Sequence, residues 1–224
     1  MTTAEEVLAE LRAASDPGRR PGMARVGIRI DDALGVPVPA IRRIARRAGH
    51  DQRLAEALWS SGVHEARMAA ALVAEPARFA FARMQAWARD LDSWDVCDMV
   101  ADTFAATPHA DRAIARWARA RHGFTKRCAF SMIARLAVHA DRPDADFEAW
   151  LAMIAGASGD DRNEVRKGVN WALRQIGKRD RRLHAAAIET AEAILATGTP
   201  SGRWIARDAL RELRDPATVA RIEP

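Results

Sequence analysis

The sequence of 224 residues predicts an all-α protein, on three observations. Apolar residues recur at helical spacing along almost the whole chain, from AEEVLAELRAA at residues 4–14 to SGRWIARDALREL at residues 201–213. Short breakers separate these segments, among them EP, TP, HG, ASGDD and TGTPSG. The only alternating run, VGIRI, is too short to seed a sheet. Together these patterns predict roughly ten to twelve helices.

Helix start signals support this assignment. Asp51 and Ser201 stand at positions typical of N-caps, and Pro39 stands where a proline is tolerated in a first turn. The breakers are short and the charge pattern does not change along the chain, so residues 1–224 are expected to form a single domain.

A repeat of 40 residues relates three of the helices. KRCAFSMIARLA begins at residue 126, RKGVNWALRQIG at 166 and ARDALREL at 206. A period near 40 built from helix pairs is typical of HEAT-type repeats, which stack into a solenoid with one concave face. This register makes Arg127, Lys167 and Arg207 equivalent and predicts a basic track along that face. The alternative is that they are ordinary solvated residues, although helix starts slightly disfavour cations.

Composition and charge narrow the functional classes. The net charge is +5, and only three of the 35 basic residues are lysine, which leaves 32 arginines. Arginine suits phosphate recognition, but the same bias also follows from a GC-rich genome. Two cysteines favour a reducing, cytoplasmic setting, and no apolar run is long enough to span a membrane.

The stretch LDSWDVCD at residues 91–98 collects carboxylates around a tryptophan in this basic chain. On a helix, Trp94 and Asp98 lie one turn apart on one face, with Asp95 and Asp102 beside Asp98. Like charges at this spacing repel each other by a few tenths of a kcal/mol. Either an arginine elsewhere in the fold neutralises them, or they meet a cationic ligand or a transition state that develops positive charge.

The remaining tryptophans and the cysteine Cys97 give weaker indications of function. Trp171 follows Lys167 by one turn, so an indole and an ammonium group share one end of that helix. Cys97 is expected in the core, and no metal-binding spacing, nucleophile motif or nucleotide loop is present, so no cofactor is expected. Four other tryptophans lie in apolar stripes and are predicted core residues: Trp59, Trp87, Trp117 and Trp150.

Six motifs resemble the AlkD-like family of DNA alkylation repair proteins, in the same order and over nearly the whole chain. They are LGVPVPAIRRIAR, LWSSGVHEARMAA, SWDVCD, FTKRCAF, VRKGVNWALRQIGKR and RWIARDALREL. The resemblance implies a HEAT-like solenoid whose concave basic surface holds duplex DNA. It also implies a glycosylase that releases N3- and N7-alkylated purines without flipping the damaged base.

The resemblance also assigns roles to single residues. The family's essential aspartate matches Asp98, its two cleft tryptophans match Trp94 and Trp171, and its phosphate-contacting arginine matches Arg127. We expect Lys126, Lys167 and Arg207 to extend the phosphate contacts. Alkylated duplex DNA is the expected partner of a cytoplasmic monomer that associates with the nucleoid when bound to DNA. This chain has no tyrosine, so any tyrosine contact in relatives is replaced here.

A second function remains open on the sequence. A helical solenoid of this kind also serves as a non-catalytic scaffold that binds unusual DNA structures or a protein partner. Release of free alkylated base from methylated duplex DNA distinguishes the two.

Overall fold

The computed structural model describes residues 2–222, and among these it contains fourteen α-helices and no β-strand. The all-α prediction is therefore confirmed. The helix number exceeds the expected ten to twelve because α2 and α14 have only six and four residues, too short to show a periodicity. The bounds are α1 (Ala4–Ala13), α2 (Arg20–Arg25), α3 (Val38–Ala48), α4 (Gln52–Ser60), α5 (His64–Val73), α6 (Phe81–Asp90), α7 (Trp94–Ala105), α8 (Ala110–Trp117), α9 (Gly123–His139), α10 (Asp144–Ala157), α11 (Asn163–Ile176), α12 (Arg181–Ala196), α13 (Pro200–Leu213) and α14 (Pro216–Val219).

The chain groups into two compact units, Met1–Ala110 and Asp111–Pro224. In the first unit, α5 packs against α3 on one side and α7 on the other, and α4 pairs with α5. In the second, α9, α11 and α13 pack side by side, while α10 and α12 pack against each other. Each unit thus has the paired-helix layering of a HEAT-like repeat. The expectation of one domain over residues 1–224 stays a prediction.

Local capping sets where several helices begin. The Asp51 carboxylate accepts hydrogen bonds from the backbone N–H groups of Arg53 and Leu54 at 2.7 and 3.0 Å, which confirms it as the N-cap of α4. The prediction for Ser201 is wrong, because α13 begins at Pro200 and its N-cap is Thr199, two residues before the predicted position. Ser201 is buried in the first turn instead.

Tryptophan and phenylalanine fill the core of the first unit. The rings of Trp59 and Trp87 stack with their centroids 4.1 Å apart, and Phe79 meets Trp87 edge-on at 4.9 Å. In the second unit, α9 is buried around most of its circumference. The four tryptophans predicted for the core, and Cys97, are all buried.

The segment before α3 is held against α5 by a buried carboxylate. Glu65 accepts hydrogen bonds from the backbone N–H groups of Leu34, Gly35 and Val36 at 2.8, 2.7 and 3.2 Å. Gly35 has φ +81°, and a Cβ there would lie 2.1 Å from the carbonyl oxygen of Asp16. The LGVP motif therefore needs its glycine for backbone conformation and for space.

Candidate functional site

Trp94 and Asp98 lie on one face of α7 in the first unit. Trp94 is the first residue of α7, and its side chain is 37% exposed. Its indole Nε1 donates a hydrogen bond to the carbonyl oxygen of Val26 at 3.1 Å, which fixes the ring while leaving part of it accessible. Asp98 follows one helical turn later and is partly exposed. The first unit therefore presents an indole and a carboxylate together at the start of α7.

The neighbouring Asp95 is engaged inside the fold. His64, at the start of α5, lies with its Nε2 atom 2.8 Å from Asp95 Oδ2, and Ser93 Oγ donates to Asp95 Oδ1 at 2.6 Å. Burial is the largest single effect on His64 and opposes its charged form, but the hydrogen bond to Asp95 and the attraction of the nearby carboxylates together outweigh it and raise the pKa of His64 above 6.5. Burial is also the largest single effect on Asp95, yet the hydrogen bond and charge attraction from His64, together with the hydrogen bonds from Ser93 and from the backbone N–H of Val96, lower the pKa of Asp95 below 3.8. The pair joins α5 to α7.

Asp92, just before α7, has cationic partners in the same unit. Arg29 Nη1 lies 2.9 Å from its carboxylate, and Arg67 Nη1 lies 3.6 Å from it. The guanidinium of Arg67 also stands over the Trp59 ring at 5.4 Å. Neighbouring side chains of the fold therefore offset the negative charges of Asp92 and Asp95, which explains why these carboxylates can lie close together.

In the second unit, Asp160 connects the starts of three helices through its carboxylate and its backbone carbonyl group. The Asp160 carboxylate pairs with Lys126 of α9 at 2.9 Å, and with Arg162, the N-cap residue of α11, at 2.9 and 2.6 Å. Its carbonyl oxygen accepts a hydrogen bond from Ser201 Oγ of α13 at 2.8 Å. The bond from Arg162 and, against the effect of burial, that from Lys126 hold the pKa of Asp160 well below its usual range. Asp160 thereby aligns the N-terminal ends of α9, α11 and α13.

Arg127 lies where α9 and α11 approach closely. It is only 6% exposed, and its Nη1 donates to the carbonyl oxygen of Glu164 at 3.0 Å. A Cβ at residue 168 would lie 3.2 Å from Arg127 Cγ, so Gly168 leaves room for the arginine side chain. Its structural contact is therefore with α11, and its assignment as a phosphate contact stays a prediction.

The remaining predicted residues of the second unit are more accessible. Lys167 of α11 and Arg207 of α13 are exposed, and Trp171 of α11 is partly exposed. The three repeat-related cations thus lie on the three helices that pack side by side, as the register predicts, but they differ in burial. Within α11, Trp171 and Lys167 lie one turn apart, so this helix presents an indole and an ammonium group on one face.

A model of the family described as DNA alkylation repair enzyme matches residues 7–213. The chain belongs to this family. It is also similar to a solved structure from a group described as a new family of proteins related to the HEAT-like repeat DNA glycosylases with affinity for branched DNA structures. That likeness has a TM-score of 0.77 at 20% identity and covers 86% of this chain and 83% of the other, which confirms the HEAT-like fold. Comparison with curated proteins gives no significant match.

Sequence reasoning missed three residues: two that pair across distant helices, His64 and Asp160, and one with an exposed ring, Trp204. His64 and Asp160 bind carboxylate or cationic partners that lie 31 and 34 residues away, and no local motif marks such pairs. Trp204 lies in the motif RWIARDALREL, but the sequence pattern assigns it no role of its own. Its side chain is 37% exposed, and the guanidinium of Arg166 stands 4.9 Å from its ring. An arginine directly before Trp204 and another three residues after it were the available signal.

Residues 2–222 contain no group of three or more histidine, cysteine, aspartate or glutamate side chains arranged to hold a metal ion. None of the helices formed by these residues has the length and apolar character needed to cross a bilayer.

Proposed function

We propose that this protein is a DNA glycosylase that hydrolyses the N-glycosidic bond of N3- or N7-alkylated purines in duplex DNA. The supporting observation is a partly exposed carboxylate, Asp98, one turn from the half-exposed indole of Trp94, in a chain that belongs to a DNA alkylation repair family. The proposed enzyme acts as a monomer, needs no metal or nucleotide, and works in the cytoplasm on the nucleoid.

The chemistry of the substrate explains why a carboxylate is needed. An N3- or N7-alkylated purine carries a formal positive charge, so it leaves readily as a neutral base and takes the electron pair of the N-glycosidic bond. Positive charge then builds on the deoxyribose ring. A fixed carboxylate stabilises this oxocarbenium-like state and orients the water whose oxygen bonds to C1′ and whose proton is released. Asp98 is proposed for this role.

The two tryptophans are proposed to contact the lesion nucleotide. An indole face attracts a cation by about 0.5–2 kcal/mol, which favours the charged, alkylated base over its neutral parent. Trp94 is held for this purpose by its hydrogen bond to Val26. Trp171 is proposed as the second indole. With contacts of this kind, the proposed enzyme would recognise the lesion while the base stays in the duplex, whereas most glycosylases flip the base into a pocket.

Phosphate binding is proposed for the basic residues of the second unit. Lys167 and Arg207 are exposed and can meet a phosphate directly. Lys126 is paired with Asp160, and Arg127 is bonded to α11, so their contribution requires a phosphate to share or replace these partners. We therefore expect Lys167 and Arg207 to contribute most to the salt dependence of binding.

The decisive experiment removes the charge of Asp98 without changing its shape. Asp98→Asn is expected to slow release of N7-methylguanine from methylated duplex DNA by roughly 100-fold or more, because the sugar cation loses its counter-charge. Duplex affinity, measured by fluorescence anisotropy, should stay close to that of the wild type. Asp102→Asn, one turn further along α7, is the matched control and should retain excision. Full excision by Asp98→Asn would remove this residue from the mechanism.

A second candidate function is non-catalytic binding of DNA structures. It is favoured by the similar solved structure, whose group is described as having affinity for branched DNA. The two proposals differ in one measurement with the wild-type protein, namely incubation with methylated duplex and analysis for free alkylated base. Binding of DNA without any base release supports the second candidate.

A further inference from the structure

The exposed face of α13 carries a groove of which the proposed glycosylase uses only Arg207, as a phosphate contact. Its volume is about 320 Å³, and among residues 2–222 all of its lining residues come from α13. The half-exposed indole of Trp204 lies among basic side chains there. The lining residues are Pro200, Arg203, Trp204, Arg207, Asp208 and Arg211.

Two of the arginines in the groove have no counter-charge. Within residues 2–222, the side chains of Arg203 and Arg207 form neither a hydrogen bond nor an ion pair, and both are exposed. They stand one turn apart, where like charges repel. The nearby Asp208 does not neutralise them, because it is paired with Arg211 and lies 3.8 Å from Arg174. An anion bound between Arg203 and Arg207 relieves this repulsion.

The indole next to these arginines is fixed but not covered. The guanidinium of Arg166 stands 4.9 Å from the Trp204 ring centroid, and Arg166 does not line the groove. One side of the ring is therefore supported by a cation, and another side faces the groove. A supported, accessible aromatic surface beside two free guanidinium groups matches a nucleotide, which offers a flat base and a phosphate.

We propose that this groove binds an unpaired nucleotide of DNA, with its base stacked on Trp204 and its phosphate held by Arg203 and Arg207. In a duplex both faces of a base pair are covered by neighbouring pairs, so only a single-stranded, terminal or junction nucleotide has a free face for the indole. The inference rests on the proposed function only in taking DNA as the partner. The groove would allow the proposed glycosylase to recognise an unpaired strand that adjoins duplex DNA.

The test compares a blunt duplex with the same duplex carrying a single-stranded overhang of about five nucleotides, a length within the site size of common single-strand binders. Fluorescence anisotropy with the full chain should show tighter binding to the overhang substrate. Trp204→Leu is expected to lower the affinity for the overhang substrate by roughly 10-fold, because the stacking surface is lost, while leaving blunt-duplex affinity unchanged. Trp204→Phe keeps an aromatic ring and should retain most of the preference.

A charge-matched pair of variants tests the phosphate contacts. Arg203→Gln, which leaves the proposed duplex contact at Arg207 in place, should reduce the overhang preference, whereas Arg116→Gln, which takes the same charge from an exposed position on α8, should preserve it. Thermal unfolding of each variant by circular dichroism identifies a folding defect. If Trp204→Leu is poorly folded, Arg203→Gln decides the question.

Two results would overturn the inference. One is equal wild-type affinity for the overhang and blunt substrates. The other is an equal loss of affinity for both substrates in Trp204→Leu or in Arg203→Gln. Either result leaves the glycosylase proposal intact, since that proposal depends on release of alkylated base by Asp98. Conversely, failure to release base leaves the overhang preference to be judged by its own measurement.

Discussion

At the scale of single residues, the carboxylates around α7 separate by their partners. Asp92 is paired with Arg29 and Arg67, and Asp95 is paired with His64, all within the first unit. These contacts offset the repulsion that clustered carboxylates otherwise cause. The cluster therefore holds the start of α7 in place, and this is the segment that presents Trp94 and Asp98.

The first prediction concerns the pH dependence that His64 and Asp95 give to stability. The pKa of Asp95 is lowered, so its contribution is complete above about 3.8 and is lost as the pH falls through its folded value. The pKa of His64 is raised, so its contribution is complete below 6.5 and is lost as the pH rises through its folded value. The pair is therefore fully stabilising between about pH 4 and 6.5.

Urea unfolding of His64→Gln across pH 4 to 9 checks this expectation. The variant should lose about 1.5–3 kcal/mol near pH 6, the usual value of a hydrogen bond to a charged group, and less above the folded pKa of His64. Asp95→Asn should flatten the profile in the same way, because it removes the charge that raises the pKa of His64. Parallel profiles for the wild type and both variants would show that the pair carries no net coupling.

At the scale of helices, the sequence was informative wherever burial follows a regular period. The helical spacing predicted the all-α class, and the repeat of 40 residues predicted which helices are related, namely α9, α11 and α13. These are also the helices that pack side by side in the second unit. Stripes of apolar residues determine packing directly, so this level of structure can be predicted from one sequence.

Contacts between distant helices could not be predicted in the same way. The register treats Arg127, Lys167 and Arg207 alike, yet only Arg127 is buried, because α11 approaches α9 at Gly168 and supplies the carbonyl oxygen of Glu164. The bond between His64 and Asp95 spans 31 residues and depends on the packing of α5 against α7. Such pairs follow from the assembled fold, not from local spacing.

The next prediction tests the Asp160 carboxylate as the link between α9 and the start of α11. Asp160→Asn should lower the free energy of unfolding by about 1–3 kcal/mol, because Lys126 and Arg162 lose a shared counter-charge. The neighbouring Asp161 is exposed, so Asp161→Asn is the matched control and should stay within about 0.5 kcal/mol of the wild type. Urea unfolding at pH 7 measures both. Equal effects of the two substitutions would contradict the proposed link.

The pKa of Asp160 extends this test to acid. Since the pKa lies well below its usual value, the stabilisation is complete above about 3.8 and is lost only as the pH falls through the folded value. The difference between the wild type and Asp160→Asn should therefore persist at pH 4. A difference that disappears between pH 7 and 5 would show that the carboxylate is not held in its charged form.

At the scale of the whole molecule, the net charge of +5 hides a division between paired and unpaired cations. The three lysines illustrate it. Lys126 is paired with Asp160 at 2.9 Å and Lys178 with Glu212 at 2.6 Å, whereas Lys167 is exposed and forms no ion pair among residues 2–222. A cation already paired within the protein releases fewer DNA counterions when a phosphate arrives, so composition alone overstates the binding surface.

The lysines therefore provide the last prediction. If duplex DNA lies along the exposed cations, Lys167→Gln should weaken binding and reduce the slope of log affinity against log salt by about 0.9, the value for one phosphate contact in B-DNA. Lys178→Gln removes the same charge from a paired lysine and should leave the slope nearly unchanged. Arg127 is expected to act on stability instead. Arg127→Gln should lower the melting temperature, because it removes the hydrogen-bond donor to the carbonyl oxygen of Glu164. Fluorescence anisotropy from about 50 to 200 mM salt measures the slopes. An identical reduction in both lysine variants would show that the protein attracts DNA through its overall charge, without a phosphate contact at Lys167.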